Sequence, residues 1–398
     1  MRRSALTLKL LTFEPTGAII ATPTTSLPEQ IGGVRNWDYR YTWLRDSALI
    51  LYTLQLLGYF EEAADFFNWL DSLCISCHSQ LQIMYTIHGK SHLPEQTLNH
   101  LEGYRGSRPV RIGNAAFDQK QLDIYGEILD AAHLYQERIG QPVRAEWWDE
   151  LSFMANETVR IWREPDHGIW EVRGGTRHFL YSKLMCWVAL DRAIRLADRL
   201  DTTQDTTLWK RTSDEIRRAI LTEGYNEEIG AFTQAFGERS LDASALVIPL
   251  TGFLPATDPR VRSTVERIQQ RLTSHGLVYR YQTEDGLPGS EATFAMCSFW
   301  LIDNLALQGQ TDEARELFER VASFASDLGL LAEEIDPASG ELLGNYPQGF
   351  THLALIRSAL HIAKAEAHGA EEEAENYAER AAKVERIGYV SAPPRRRK

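Results

Sequence analysis

Apolar residues recur at intervals of three and four along most of the 398-residue chain, a spacing that gathers them on one face of an α-helix. The pattern predicts helices in SALILYTLQLLGYF, FFNWLDSL, QLDIYGEILDAAHLYQERI, SKLMCWVALDRAIRLADRL, DTTLWKRTSDEIRRAIL, RVRSTVERIQQRL, FAMCSFWLIDNLALQG, TDEARELFERVASFAS, FTHLALIRSALHIAKA and EEEAENYAERAAKVERI. Strand signals are short and sparse, as in GLVYRYQ. The helices come in pairs. Loops between them alternate between very short, as in LGYFEEA and LQGQTDEA, and long stretches rich in Gly, Pro, Trp and charge. No tight sequence repeat accompanies the pairing, which argues against a solenoid array. The expected fold is therefore all-α, a closed toroid of helical hairpins with its long loops gathered at one end.

Charge narrows the partners. With 42 Lys and Arg against 55 Asp and Glu, the net charge is −13, which disfavours nucleic acid or an anionic membrane as partner and favours a neutral ligand. No apolar run is long enough to span a bilayer, and MRRSALTLKLLTF is too short and too charged for a signal peptide, so the expected compartment is the cytoplasm. Four cysteines make no disulfide framework. Cys74-Ile75-Ser76-Cys77-His78 matches the spacing of covalent haem attachment, but it continues a helical pattern and is read as helix. Cys186 and Cys297 are isolated, and His88, His92 and His100 lack a helical pair beside a carboxylate, so no metal and no cofactor are expected. Asn156-Glu157-Thr158 matches a glycosylation acceptor within a helical pattern and is expected to carry nothing.

Candidate chemistry lies in the long loops. RNWDYRYTWLRDSA (35–48) packs aromatic rings, arginines and aspartates together just before a helix. The plain reading is a turn with surface ion pairs, which are individually weak. The sharper one is a sugar site, since flat rings stack on pyranose faces and planar Arg and Asp groups hold hydroxyls. Two carboxylate-bearing stretches stand out. In DHGIWEVRGG, Glu171 follows Trp170, and an indole and Ile169 beside a carboxyl favour a raised pKa, as a general acid needs. In LLAEEIDPASGELLGNYPQGFTH, Glu333 and Glu334 follow an apolar run, and at least one is placed to serve as a base. Two such carboxyls on separate loops can hydrolyse a glycosidic bond.

Taken in order, RNWDYRYTWLRDSA, GIWE with RHFLYSKLMCWVALDRAIRLA, and LLAEEIDPASGELLGNYPQGFTHLALI resemble the glucoamylase family, family fifteen of the glycoside hydrolases. The intervening PTGAIIATPTTSLPEQIGG, GYRGSRPVRIGNAAFDQKQLDIYGE and GLVYRYQTEDGLPGSEATF extend the likeness from Ser4 to about Lys364. The resemblance implies an (α/α)6 barrel and inverting, exo-acting hydrolysis that releases β-D-glucose from the non-reducing end of malto-oligosaccharides or starch-type glucans. By motif, Glu171 would be the general acid and Glu333 the general base, with Glu334 as the fallback. Tyr39 and Trp43 would line the pocket beside Trp170, Arg45 and Asp46 would clamp the terminal glucose, and Arg280 with Tyr281 would bind sugar.

Three departures qualify the likeness. Val172 stands where fungal members have a second glutamate, so contacts to the leaving sugar should differ. Phe350 replaces a tryptophan, keeping an aromatic platform without the indole donor. The chain opens directly on SALTLKLLTF, which resembles the first barrel helix, with no preceding β-sandwich domain of the kind many prokaryotic members carry. The expected organisation is a catalytic domain over 1–388 and a polar tail over 389–398. If the chain is truncated, an exposed apolar surface is expected where that domain would sit. Trehalose hydrolysis, known within the family, is the alternative to glucan hydrolysis. An inactive sugar-binding barrel and a uronate lyase fit less well with two glutamates and a negative chain. The sequence assigns a saccharide substrate and leaves the oligomeric state open.

Overall fold

The computed structural model describes residues 1–77, 81–140, 143–200 and 204–368. The chain runs α1 (Arg2–Leu11), α2 (Leu44–Leu56), α3 (Glu61–Cys77), α4 (Ile124–Ile139), α5 (Ala145–Ile161), α6 (Leu180–Leu200), α7 (Thr207–Ala219), α8 (Pro259–Arg271), α9 (Ala295–Leu307), α10 (Thr311–Ser323) and α11 (Gly349–His368). Burial sorts them into two layers. Every residue of α9 is buried, and a helix apolar all round must be surrounded. By contrast α7 buries Trp209, Thr212, Ser213 and Ile216, and α8 buries Val261, Thr264, Val265 and Ile268, the single stripe of an outer helix.

The inner layer closes on itself. Helices α2, α4 and α6, the 3₁₀ turns Ala243–Val247 and Pro249–Thr251, α9 and α11 each touch the next, and α11 returns to α2. The outer helices α1, α3, α5, α7, α8 and α10 pack around them, giving the (α/α)6 barrel. The fourth inner element is not an α-helix. Pro249 supplies no N–H and would clash with the carbonyl one turn back, which breaks a longer helix there. Helix α5 contains the helical pattern read at Asn156-Glu157-Thr158. It buries Trp147, Trp148, Leu151, Met154, Ala155 and Ile161, a helical stripe beneath a charge-rich sequence. Asn156 lies within it, its side-chain oxygen accepting from the Trp209 indole. On α1, Leu8 and Leu11 are buried while Leu6 and Leu10 face outward, Leu10 at 81% exposure. The EEEAENYAERAAKVERI helix, the domain end at 388, the tail 389–398 and His78 lie outside the described residues. No helix among the described residues is long and apolar enough to cross a membrane.

Connections from inner to outer helices are short, as at 57–60 and 308–310, and those from outer to inner are long, as at 12–43 and 324–348. All long loops therefore emerge at the same rim, where backbone bonds tie each to its neighbour. Thr42–Trp43 pairs antiparallel with Met84–Tyr85. The His167 N–H donates to the Lys120 carbonyl at 3.0 Å. Phe179 bridges Ala235, and Asp242 bridges Tyr281. Thr293–Phe294 pairs with Glu334–Ile335, and the Gly349 N–H donates to the Ala21 carbonyl at 3.0 Å.

Gly126, inside α4, ordinarily costs helix stability, but here it lets α4 meet α6. A Cβ at this position would lie 2.2 Å from the Met185 carbonyl oxygen. Gly126→Ala is expected to destabilise the barrel by about 1–3 kcal/mol or more through overpacking, read as a lowered midpoint in urea denaturation. Unchanged stability would show that the helices separate freely.

Candidate active site

The rim loops enclose two adjoining cavities. The first, of about 390 Å³, is lined by Tyr39, Trp43, Arg45, Asp46, Trp170, Glu171, Arg280, Glu333 and Phe350, joined by Ala21, Ile169, Phe294 and Gln348. The second, of about 410 Å³, is lined by Glu29, Arg35, Trp37, Asn114, Arg173, Tyr281 and Asp285 among others, and shares Tyr39, Trp170, Glu171 and Arg280 with the first. Thus the sequence-predicted residues converge on the first cavity except Tyr281, which lines the second.

Glu171 sits at the junction. Its backbone is left-handed, φ 59°, a conformation that costs a non-glycine residue of order 1–3 kcal/mol and concentrates at functional sites. The Trp43 indole donates to its Oε1 at 2.6 Å, the Gln121 amide at 3.2 Å and Arg45 at 3.5 Å. The neighbouring indole in sequence does something else. Trp170 Nε1 donates to both oxygens of Asp242 at 3.0 Å, so the indole bonded to Glu171 is that of Trp43, and Trp170 is a wall shared by both cavities.

Arg45 is buried with Asp46 at 3.4 Å and Asp123 at 3.8 Å, and lies 5.7 Å from the centre of the Phe350 ring. Burial opposes its charge, but Asp46, Asp123 and Glu171 outweigh it and raise its pKa. Arg45 and Asp46 thus form a buried ion pair, not the surface pair of the plain reading, and both line the first cavity. Burial pushes Asp46 up to about 7, opposed by Arg45 and reinforced by Glu171. Tyr39 meets Trp43 edge to face, centroids 5.5 Å apart.

Glu333 immediately precedes the strand Glu334–Ile335. Its N–H donates to the Asn345 carbonyl at 3.2 Å and its carbonyl accepts from Ala295 at 3.0 Å. Alternation along the strand sends the next side chain the other way. Accordingly Glu334 accepts from the Ala292 N–H at 2.9 Å and does not line the first cavity. Burial raises Glu333 to about 8, with the Glu29 charge adding and Arg280 opposing. Asp46 Oδ2, Glu333 Oε2, Gln348 Oε1 and Glu29 Oε2, on residues that line the two cavities, are buried without a hydrogen-bond partner among the described residues.

Arg280 binds Glu291 at 2.5 Å and lies 3.7 Å from both Glu29 and Glu334. Carboxylate oxygens of Glu29, Glu291 and Glu334 converge within 4.8 Å of one another, the donor set a cation would use, and the Arg280 guanidinium supplies the positive charge among them. Arg35 grips the same region, bidentate to Asp285 at 2.8 and 3.1 Å and to Glu291 at 2.8 Å. Trp37 donates to Glu29 at 2.8 Å, with the guanidinium groups of Arg111 and Arg173 4.7 and 4.8 Å from its ring centre. Sequence reading did not single out Glu29, Arg35, Gln121 or Gln348. All four lie within segments that carry the family likeness, but none was given a role there.

A barrel of paired helices whose rim joins separate carboxyls, arginines and aromatic walls in one cleft defines a glycoside hydrolase. The sequence profile of Glycosyl hydrolases family 15 matches residues 1–360, and the chain belongs to that family. It is 50% identical over 372 residues to a trehalase of Mycobacterium tuberculosis, covering 92% of this chain and 54% of that protein. To a trehalase of Thermoplasma acidophilum it is 43% identical over 365 residues, covering 91% and 62%. The chain thus spans little more than half to three fifths of the curated relatives it matches. Among solved structures, a wild-type glycosidase aligns with a TM-score of 0.72 at 19% identity over 91% of this chain and 95% of that one. A bacterial glucoamylase complexed with acarbose aligns with a TM-score of 0.72 at 15% identity over 97% and 57%.

Gly344 (φ 72°) leaves room for Glu333. A Cβ there would lie 2.7 Å from Glu333 Oε2 and 2.9 Å from its Cβ. Gly344→Ala should cut hydrolysis at least about tenfold, since a misplacement near 1 Å costs on the order of 10²-fold, while far-ultraviolet circular dichroism stays unchanged. Full activity in this variant would mean the Glu333 carboxyl is not held there.

Proposed function

We propose that the chain is a trehalase, hydrolysing the α,α-1,1 linkage between two glucose units with inversion, Glu171 acting as general acid and Glu333 as general base. The observation that supports this reading is that Glu171 lines both adjoining cavities, so that rings bound on either side of it would share one proton donor. The trehalase relatives at 42–50% identity support the same substrate, ahead of the glucan hydrolysis expected from motifs alone. In this mechanism Glu171 protonates the bridging oxygen while Glu333, ionised, takes a proton from water attacking the opposite face of the ring in the first cavity. Arg45 and Asp46 hold that ring, and Phe350 and Trp170 wall it. Glu29, Trp37 and Asn114 face the leaving glucose.

Three measurements test the reading. With a panel of trehalose, maltose, isomaltose, maltotriose and soluble starch, glucose release should be greatest from trehalose. Maltotriose or starch ahead of it would restore glucan hydrolysis. Glu171→Gln and Glu333→Gln should each lower kcat on trehalose at least about 10²-fold, and near-wild-type rates in both would remove the assignment. Nuclear magnetic resonance of fresh product should show equal α- and β-glucose, because the attacked carbon inverts and the leaving sugar keeps its configuration. Two α-glucose molecules would mean retention.

The pH dependence carries a sign. Glu333 acts only when ionised and is raised to about 8 by burial and by Glu29. Glu29, itself raised to about 7, is charged in the range where Glu333 titrates. Glu29→Gln removes that like charge, so the acid limb of kcat/KM should move to lower pH. An unmoved limb would disconnect the two carboxyls.

A further inference from the structure

Among the described residues, Glu171 Oε1 receives every hydrogen bond made to this carboxyl by a side chain, from the Trp43 indole at 2.6 Å, the Gln121 amide at 3.2 Å and Arg45 at 3.5 Å. An indole N–H and a guanidinium are donors only, and neither can accept a proton from that oxygen. Gln121 is amphoteric, but its orientation is dictated. Its Oε1 accepts from Arg45 at 2.9 Å, and because arginine has no acceptor the amide cannot be reversed. The NH₂ end must therefore face Glu171. With donors alone around Oε1, a proton on the carboxyl has a single place to reside, Oε2. The same segment holds the backbone as well. Gln119 Nε2 donates to the carbonyl oxygens of Glu171 and Val172 at 3.3 and 3.4 Å.

We propose that Gln121 is a positioning residue that, oriented by Arg45, locks Glu171 with Oε1 as acceptor so that Oε2 alone carries the proton given to the bridging oxygen. The inference rests on Glu171 being the general acid. Arg45 reaches Glu171 weakly at 3.5 Å and is itself engaged by Asp46 and Asp123. Gln121 therefore relays the arginine's orientation through a neutral group. It is 3% exposed, so water does not replace it.

The test separates proton delivery from folding by leaving group. Departure of fluoride from α-glucosyl fluoride needs little acid assistance, whereas departure of glucose from trehalose needs it fully. Gln121→Met keeps shape and removes the amide. It is expected to lower kcat on trehalose about 10- to 100-fold while α-glucosyl fluoride hydrolysis stays within about threefold of wild type. Gln121→Glu, ionised and unable to donate, should behave alike and serves if the methionine variant does not fold. Equal losses on both substrates, or wild-type rates on trehalose, would overturn the proposal. Glu171→Gln is the separate arm. Loss on trehalose with the fluoride retained supports Glu171 as acid, and trehalose activity retained there would overturn that reading itself, whatever Gln121 does.

Discussion

Two buried guanidinium groups organise the rim. Arg35, from the first long loop, and Arg280, from the fifth, share Glu291 at 2.8 and 2.5 Å, and between them they also engage Asp285, Glu29 and Glu334. Buried charge is tolerated only when paired, and removing one partner from such a pair costs roughly 3–5 kcal/mol. The loops carrying these residues are therefore locked to one another by electrostatics as well as by their short strands. Carboxyls still outnumber the guanidiniums. The surplus, together with burial, raises Glu29 to about 7 and Glu333 to about 8 and drives Glu334 well above its ordinary value. Gly344 and the Glu334 strand then determine which of these crowded groups reaches the cavity.

The opposite wall is built differently. Around Glu171 stand an indole, an amide and one long-range guanidinium, all donors, whereas Glu333 is surrounded by other carboxylates with Arg280 as counter-charge. The two carboxyls proposed as acid and base thus stand in different surroundings. Arg45 takes part in the donor side without overwhelming it, because Asp46 and Asp123 offset its charge.

Much of this was readable from the chain, and the unread parts have physical reasons. Helices α6, α9 and α11 follow their apolar spacing closely because burial sets both. The inner turns at 243–251 escaped because their burial is complete but their length is cut by Pro249. RNWDYRYTWLRDSA reads as one motif and folds as two functions: Tyr39, Trp43, Arg45 and Asp46 line the first cavity, while Arg35 and Trp37 line the second. Tyr39 lines both and stands between them in the sequence. Trp170 looked like the indole partner of Glu171 because it is adjacent in sequence, yet the residue that bonds Glu171 lies 128 positions away. Gln121 and Glu29 lie in segments that share the family likeness, yet a glutamine or a glutamate in a polar loop is ordinary until the fold buries it.

The toroid also biases the chemistry at its mouth. Because every long loop feeds an inner helix, the N-termini of the inner helices all point to the same rim, where the unpaired N–H groups carry partial positive charge. Acids occupy three of those six ends, Asp46 in the first turn of α2, Asp123 before α4, and Asp242 capping the Ala243–Val247 turn through the Ser244 N–H at 2.7 Å, while the first turns of α6, α9 and α11 carry none. Asp242 in turn holds Trp170, and Asp46 and Asp123 hold Arg45. At these three ends, then, the carboxylates hold in place the aromatic wall and the guanidinium that line the cleft.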